Sequence, residues 1–277
     1  MFETIIDRDR LKQHLGAAGW VIVDCRFDLT NKRAGRIAYR ASHIRGAVYA
    51  DLEHDLSGLP LIDHGRHPLP SPQALETLFG RLGIEDRTQV VAYDAAGGSI
   101  AARLWWLLRY MGHRKVAVLD GGWQQWIAMD FPVTAGKESN TAGDFHGAPE
   151  RHLLHTIDEL ARASLLLDSR DPARYRGDYE PIDRVAGHIP GAINRWWKDN
   201  LDAEGLFLSA DELNLQFTTL FKETPPQRVS VYCGSGVTAC HNLLAMKHAG
   251  LEMGRLYAGS WSEWCLDPSR PVARHSE

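Results

Sequence analysis

Little in this sequence points to a disulfide framework, a metal site, a membrane or a nucleic acid. Four cysteines in 277 residues, at positions 25, 233, 240 and 265, lack the density and spacing of a disulfide scaffold or a zinc ribbon. The thirteen histidines include no His-Glu-x-x-His and none paired with cysteine at ligand spacing, so a metal site is not expected. A formal charge of −4 gives no basic field for a nucleic acid or an anionic membrane, so any anionic ligand must be held by local arginines. No apolar run approaches a membrane span, and Met1 to Leu11 alternates charged with apolar residues and lacks a signal-peptide core. The expectation is a soluble, cytoplasmic protein whose cysteines are reduced, which leaves a thiol free for chemistry.

What is present is one pattern written twice. Val23-Asp24-Cys25-Arg26 followed by His43-Ile44-Arg45-Gly46-Ala47 recurs as Leu167-Asp168-Ser169-Arg170 followed by His188-Ile189-Pro190-Gly191-Ala192. Val90 to Asp94 recurs as Val229 to Cys233, so Asp94 sits where Cys233 does. Gly121-Gly122-Trp123 before Trp126 recurs as Gly259-Ser260-Trp261 before Trp264, and the offset stays between 138 (Trp123 to Trp261) and 145 (His43 to His188). A duplication this long predicts two copies of one domain, over 1–135 and 153–277, joined by a Gly- and Pro-interrupted linker at 136–152. In each half, β-branched runs (Gln89 to Tyr93, Arg228 to Tyr232) alternate with helix-period segments (Ile100 to Met111, Val237 to His248). The fold class is therefore α/β, a mostly parallel sheet flanked by helices in each domain. Thr156 with Glu159 and Ser209 with Glu212 fit capping boxes, and Ser71-Pro72 fits a capped start with proline at the first helical position. The tryptophans recur in both halves, which predicts core roles.

In the second half an apolar strand ends at Cys233, and Gly234-Ser235-Gly236 leads into a helix by about Val237. Inward-turned backbone N–H groups and the positive end of a helix make a nest for an anion at the sulfur, which is expected to lower the thiol pKa and expose a thiolate nucleophile. A core cysteine is the plain alternative, but it does not require Gly-Ser-Gly behind it. Cys240, two helical turns along, reads as a buried thiol and not as a resolving cysteine.

The run Cys233-Gly234-Ser235-Gly236-Val237-Thr238-Ala239, the tandem His-Ile-x-Gly-Ala motifs and the Gly-x-Trp-x-x-Trp segments resemble tandem rhodanese-like sulfurtransferases across nearly the whole chain. The resemblance implies an inactive first domain with Asp94 at the cysteine position and a catalytic second domain. It also implies a double displacement, in which Cys233 carries sulfur as a persulfide from a small anionic donor to cyanide, a thiol or a thioredoxin-like protein, with no organic cofactor. A neutral Gly234 and Ser235 after the cysteine are similar to 3-mercaptopyruvate sulfurtransferases; thiosulfate-preferring members carry basic residues there. Thiosulfate as donor is the alternative within the enzyme class. A cysteine phosphatase or arsenate reductase lacks support, because such loops generally end in arginine where Ala239 or Cys240 stands. A non-catalytic docking protein is hard to reconcile with an intact cysteine loop.

With mercaptopyruvate, the departing enolate needs a proton donor beside the thiolate, and Ser235 is the candidate. The resemblance couples this serine to a histidine and an acid from the first domain, His67 and Glu53, with Asp51, His54 and His64 as competing loop residues. A carboxylate donor calls for an arginine fork. Arg174 and Arg184 take the two binding positions by resemblance, Arg176 reads as exposed, and Arg103 resembles an arginine aimed at the active loop, though a packing ion pair fits it equally. The loop residues Gly234, Gly236, Val237 and Thr238 complete the expected substrate contacts, and a monomer is sufficient because the duplication already pairs two domains.

Overall fold

A computed structural model of the chain describes residues 1–59 and 64–275. It divides into one unit of Met1–Gly58, Pro70–Glu150 and Ala203–Phe207, and a second of Leu59–Leu69, Arg151–Asp202 and Leu208–Glu277. The first unit runs β1 (Ile5–Ile6), α1 (Arg8–Gln13), β2 (Trp20–Asp24), α2 (Ala34–Ala41), β3 (His43–Ile44), β4 (Val48–Tyr49), α3 (Pro72–Arg81), β5 (Gln89–Tyr93), α4 (Ala101–Tyr110), β6 (Val116–Leu119), α5 (Gly122–Ala128) and β7 (Val133–Thr134). Five strands pair in parallel in the order β1-β6-β5-β2-β4, and β3 and β7 form a separate antiparallel pair. Strand β5 is buried at every residue, which is why Gln-Val-Val-Ala-Tyr reads as a continuous run and not as an alternation. Helix α3 starts where Ser71 Oγ accepts the Ala74 N–H at 3.2 Å, with Pro72 at its first turn.

The second unit runs β8 (Leu154–His155), β9 (Leu165–Asp168), α6 (Pro172–Arg176), β10 (Ala192–Asn194), α7 (Ala210–Phe221), β11 (Val229–Tyr232), α8 (Ala239–His248), β12 (Arg255–Tyr257) and α9 (Ser260–Trp264). Its parallel sheet has the order β8-β12-β11-β9-β10, the same spatial order as the first when equivalent strands are matched. Both expected capping boxes form, at Ser209 before α7 and at Thr156 before a short 3₁₀ segment, Ile157–Arg162.

The repeated residues are the frame of each unit. Asp24 accepts from the Arg26 guanidinium, and Asp168 does the same for Arg170. The Tyr93 and Tyr232 hydroxyls accept the Ile44 and Ile189 N–H groups, which ties the His-Ile motif to the end of the central strand. His43 stacks on Tyr39 and His188 on Tyr175, at centroid distances of 4.2 and 3.8 Å. Trp126 and Trp261 are fully buried, and Trp123 and Trp264 pack partly buried against the two cores. Each fully buried tryptophan contributes roughly 4–6 kcal/mol of apolar burial.

Two segments depart from the simple halves. Residues 136–150, read as linker, lie along the first unit: Gly143 N–H donates to the Gly80 carbonyl and Glu150 N–H to the Tyr110 carbonyl. Leu59–Leu69, expected to belong with the first domain, groups with the second unit instead. The physical reason is visible at Gly65, where a Cβ would stand 2.3 Å from the Gly259 carbonyl oxygen, so glycine permits an approach that any other residue would block. Arg66 N–H donates to Ser262 Oγ at 3.1 Å and fixes the same approach.

Candidate active site

Strand β11 delivers Cys233 to the head of a six-residue loop that ends at α8, and the start of α9 staples that loop from the side. Trp261 N–H donates to the Cys233 carbonyl at 3.0 Å and Ser262 N–H to the Gly234 carbonyl at 2.9 Å. Cys233 N–H donates to Ser260 Oγ at 3.1 Å, and that hydroxyl donates in turn to the Tyr257 carbonyl. Ser260 holds a left-handed φ of 56°, sparsely populated for a residue with a Cβ. Its first-unit equivalent is Gly122, at φ 53°. Serine therefore takes a conformation that costs little for glycine, and its hydroxyl accepts the Cys233 backbone N–H. Sequence reading passed over Ser260; the exchange of glycine for serine between the repeats was the available signal.

Gly236 takes φ 74°, and a Cβ there would lie 2.4 Å from the Ala258 carbonyl oxygen, so the loop closes on α9 only with glycine. Val237 is buried, and Thr238 precedes α8 without a side-chain cap hydrogen bond. Cys233 is only 2 % exposed, so the sulfur sits at the bottom of the loop and not on an open surface as expected. The other thiols are set apart. Burial, reinforced by the Asp24 and Asp94 charges, pushes Cys25 well up, and burial with Asp183 raises Cys265. Cys240 is buried with its thiol toward the Gly236 carbonyl at 3.4 Å.

In the first unit the loop from Asp94 to α4 is one residue longer, and its nest is filled from within. One Asp94 carboxylate oxygen accepts the Ala96 and Gly98 N–H groups at 2.8 and 2.9 Å, and the other accepts those of Ile100 and Ala101 at 2.7 and 2.8 Å. The loop design thus does bind an anion on backbone N–H groups, here its own side chain.

Around Cys233 the second unit gathers Ser235, His67, Arg174 and a residue sequence reading did not select, Arg66. His67 Nδ1 and Ser235 Oγ are 2.7 Å apart and both residues are buried, so the histidine expectation meets the serine expectation directly. A Cβ on Gly234 would have as its nearest atoms Arg66 Nη2 at 3.0 Å and the Arg174 Nη2 and Nη1 at 3.6 and 3.7 Å; the bare glycine leaves two guanidinium groups over the loop. Arg174 is held by Glu180 through Nε at 3.1 Å and Nη2 at 2.7 Å, and also reaches Asp183 at 3.2 Å. Arg66 pairs with Asp183 from the other side. Burial works against Glu180's ionisation, but Arg174 and the Ile182 and Asp183 N–H groups outweigh it and hold the carboxyl below its usual range. For Asp183 burial prevails over both arginines and raises the carboxyl.

Arg184 is exposed, as is Arg176, which pairs with Asp178. Glu180 accepts the Ile182 and Asp183 N–H groups in a turn that buries the Asp183 side chain and leaves Arg184, next to it, exposed. Of the remaining expected residues, Glu53, Asp51, His54 and Arg103 lie in the first unit. Glu53 pairs with Lys32 at 2.6 Å, and Asp51 accepts from the His54 ring at 2.9 Å. Arg103 is fully buried, its Nε donating to the Leu56 carbonyl at 3.3 Å. His64 is exposed. Among the described residues no group of three or more His, Cys, Asp or Glu side chains could hold a metal, and no helix is long and apolar enough to cross a membrane.

Comparison with known proteins adds the family context. The rhodanese-like domain model matches residues 7–129 and again 153–267. A Pseudomonas aeruginosa protein called a probable 3-mercaptopyruvate sulfurtransferase is 45% identical over 279 residues, 97% of each chain. The thiosulfate sulfurtransferase of Gallus gallus is 32% identical over 89% of this chain and 86% of its own. The structure of 3-mercaptopyruvate sulfurtransferase from Leishmania major superposes with a TM-score of 0.85 at 30% identity, covering 96% of this chain and 75% of that one.

Proposed function

The chain belongs to the rhodanese-like family through both of its halves, and we propose that it is a sulfurtransferase moving sulfane sulfur from 3-mercaptopyruvate through a Cys233 persulfide to a thiophilic acceptor. The observation that carries this reading is the His67–Ser235 pair at 2.7 Å, two residues along the loop from the nucleophile.

Cys233 thiolate attacks the donor sulfur, a Cys–S–S bond forms, and the donor's carbon–sulfur bond breaks with its electron pair leaving on the pyruvate enolate. The donor's thiol proton ends on the methyl carbon of pyruvate, with Ser235 and His67 as the relay, and Cys233 is left as a persulfide anion. By analogy with the first-unit loop, whose backbone N–H groups hold the Asp94 carboxylate, the N–H groups of the Cys233 loop support that negative charge. Arg174 supplies a fork for the donor carboxylate. Glu53 and Arg103 enter this reading through the family resemblance alone. The acceptor we assign is a small thiol, cyanide or a thioredoxin-like protein, with no cofactor, in a monomer working in a reducing cytoplasm where four free thiols persist.

Thiosulfate is the second reading, favoured by the two guanidinium groups over Gly234, which suit a dianion. Steady-state transfer to cyanide with each donor separates the two, because the ratio of kcat/KM values reports differential transition-state binding. A mercaptopyruvate preference supports the Ser235 role, and a thiosulfate preference keeps Cys233 but replaces the donor.

A further inference from the structure

We infer that Asp183 is a built-in stand-in for the donor's anionic group, holding Arg66 and Arg174 over the Cys233 loop until the donor takes them over, and that Arg66 is a donor-anchoring cation beside Arg174. The inference rests on the proposed anionic donor and identifies the residues that recognise it.

Charge balance comes first. Arg66, Arg170 and Arg174 form one connected network with Asp168, Glu180 and Asp183, three cations against three anions. Within this network an arriving carboxylate finds no spare positive charge unless one of the three acids lets go. Asp168 is fully buried and accepts from the Arg170 backbone N–H and, through both oxygens, from its guanidinium, so it is fixed. Glu180 accepts two backbone N–H groups besides Arg174 and pairs with Arg170. The Asp183 carboxylate is held only by side chains, Arg66 on one oxygen and Arg174 on the other. It is also the acid that burial leaves under-compensated. Asp183 is therefore the releasable member.

Geometry says what its release uncovers. Arg174 stays oriented by Glu180 through Nε and Nη2, while Arg66, whose side chain is 32 % exposed, has Asp183 as its ion-pair partner. Both already point at the space above Gly234. A donor carboxylate placed there meets two charge-assisted forks beside the sulfur it must deliver.

The probe is pyruvate, measured by how well it protects Cys233 from iodoacetamide, which needs no turnover; kcat and KM for both donors are measured alongside. Asp183→Asn is expected to tighten pyruvate protection and lower KM by about tenfold with kcat little changed, and Arg66→Ala to weaken both by about tenfold, with Arg66→Lys recovering part. Unchanged or weaker protection in a folded Asp183→Asn overturns the stand-in. Should that variant not fold, Arg66→Ala against Arg66→Lys decides: protection lost in the alanine variant and partly recovered in the lysine variant supports the inference, and protection unchanged in Arg66→Ala overturns it. Wild type that transfers no sulfur from either donor defeats the proposed reaction, while the protection series still tests the anion site.

Discussion

His67 Nδ1 lies 2.7 Å from Ser235 Oγ although 168 residues separate them in sequence. Burial of both groups removes water as a competing partner, so the serine hydroxyl has a fixed proton acceptor or donor according to the histidine tautomer. A serine so coupled can hand a proton to a departing enolate and be resupplied.

Replacing Ser235 with alanine is accordingly expected to lower kcat with mercaptopyruvate by on the order of 10²–10⁴. Thiosulfate leaves as sulfite and needs no such proton, so its rate should change far less. Equal losses with both donors would remove the proton-transfer role.

The Cys233 half was legible because the sequence contains its own control. Asp94 opposite Cys233 marked the loop as something other than packing, and the paired His-Ile and Gly-x-Trp motifs marked the frame that the hydrogen bonds of Tyr93 and Tyr232 complete. Cap residues were readable because their partners lie three residues away. Arg66 was not readable, although it adjoins His67. Its place depends on how closely Gly65 packs on Gly259, a contact across almost 200 residues that no local pattern encodes. The burial of Asp183 beside an exposed Arg184 was not readable either, because it depends on the turn that one Glu180 side chain holds.

Asp94 satisfies four backbone N–H groups, so its role in the first unit is structural. Asn at this position turns an NH₂ toward two of those donors, at a cost of about 1–3 kcal/mol for each left unpaired. A denaturation midpoint lowered without a change in slope is the expected result; an unchanged midpoint contradicts it.

Ser260 offers a test of strain spent on function. Glycine relieves the left-handed φ but leaves Cys233 N–H without the hydroxyl, two effects of about 1–2 kcal/mol that oppose each other. Ser260→Gly should therefore keep near-native stability while kcat falls several-fold, because the nucleophile's backbone is no longer fixed. Unchanged kcat would assign Ser260 to the fold alone.

Glu180 carries a pH prediction. Although burial opposes its charge, Arg174 holds its carboxyl below the usual 4.5. A lowered folded-state value means that the ion contributes stability above the unfolded-state pKa and loses it as pH falls through the folded-state one. The stability gap between wild type and Glu180→Gln, on the order of 2 kcal/mol at neutral pH, should close on acidification below about pH 4.5. A gap independent of pH would mean that the charge of Glu180 contributes nothing.

The most direct test is the intact mass of the protein after exposure to 3-mercaptopyruvate without an acceptor. The account predicts a gain of one sulfur atom, discharged by cyanide with thiocyanate as product and absent from a folded Cys233→Ser variant. No gain in wild type, or a gain that survives in Cys233→Ser, would contradict it.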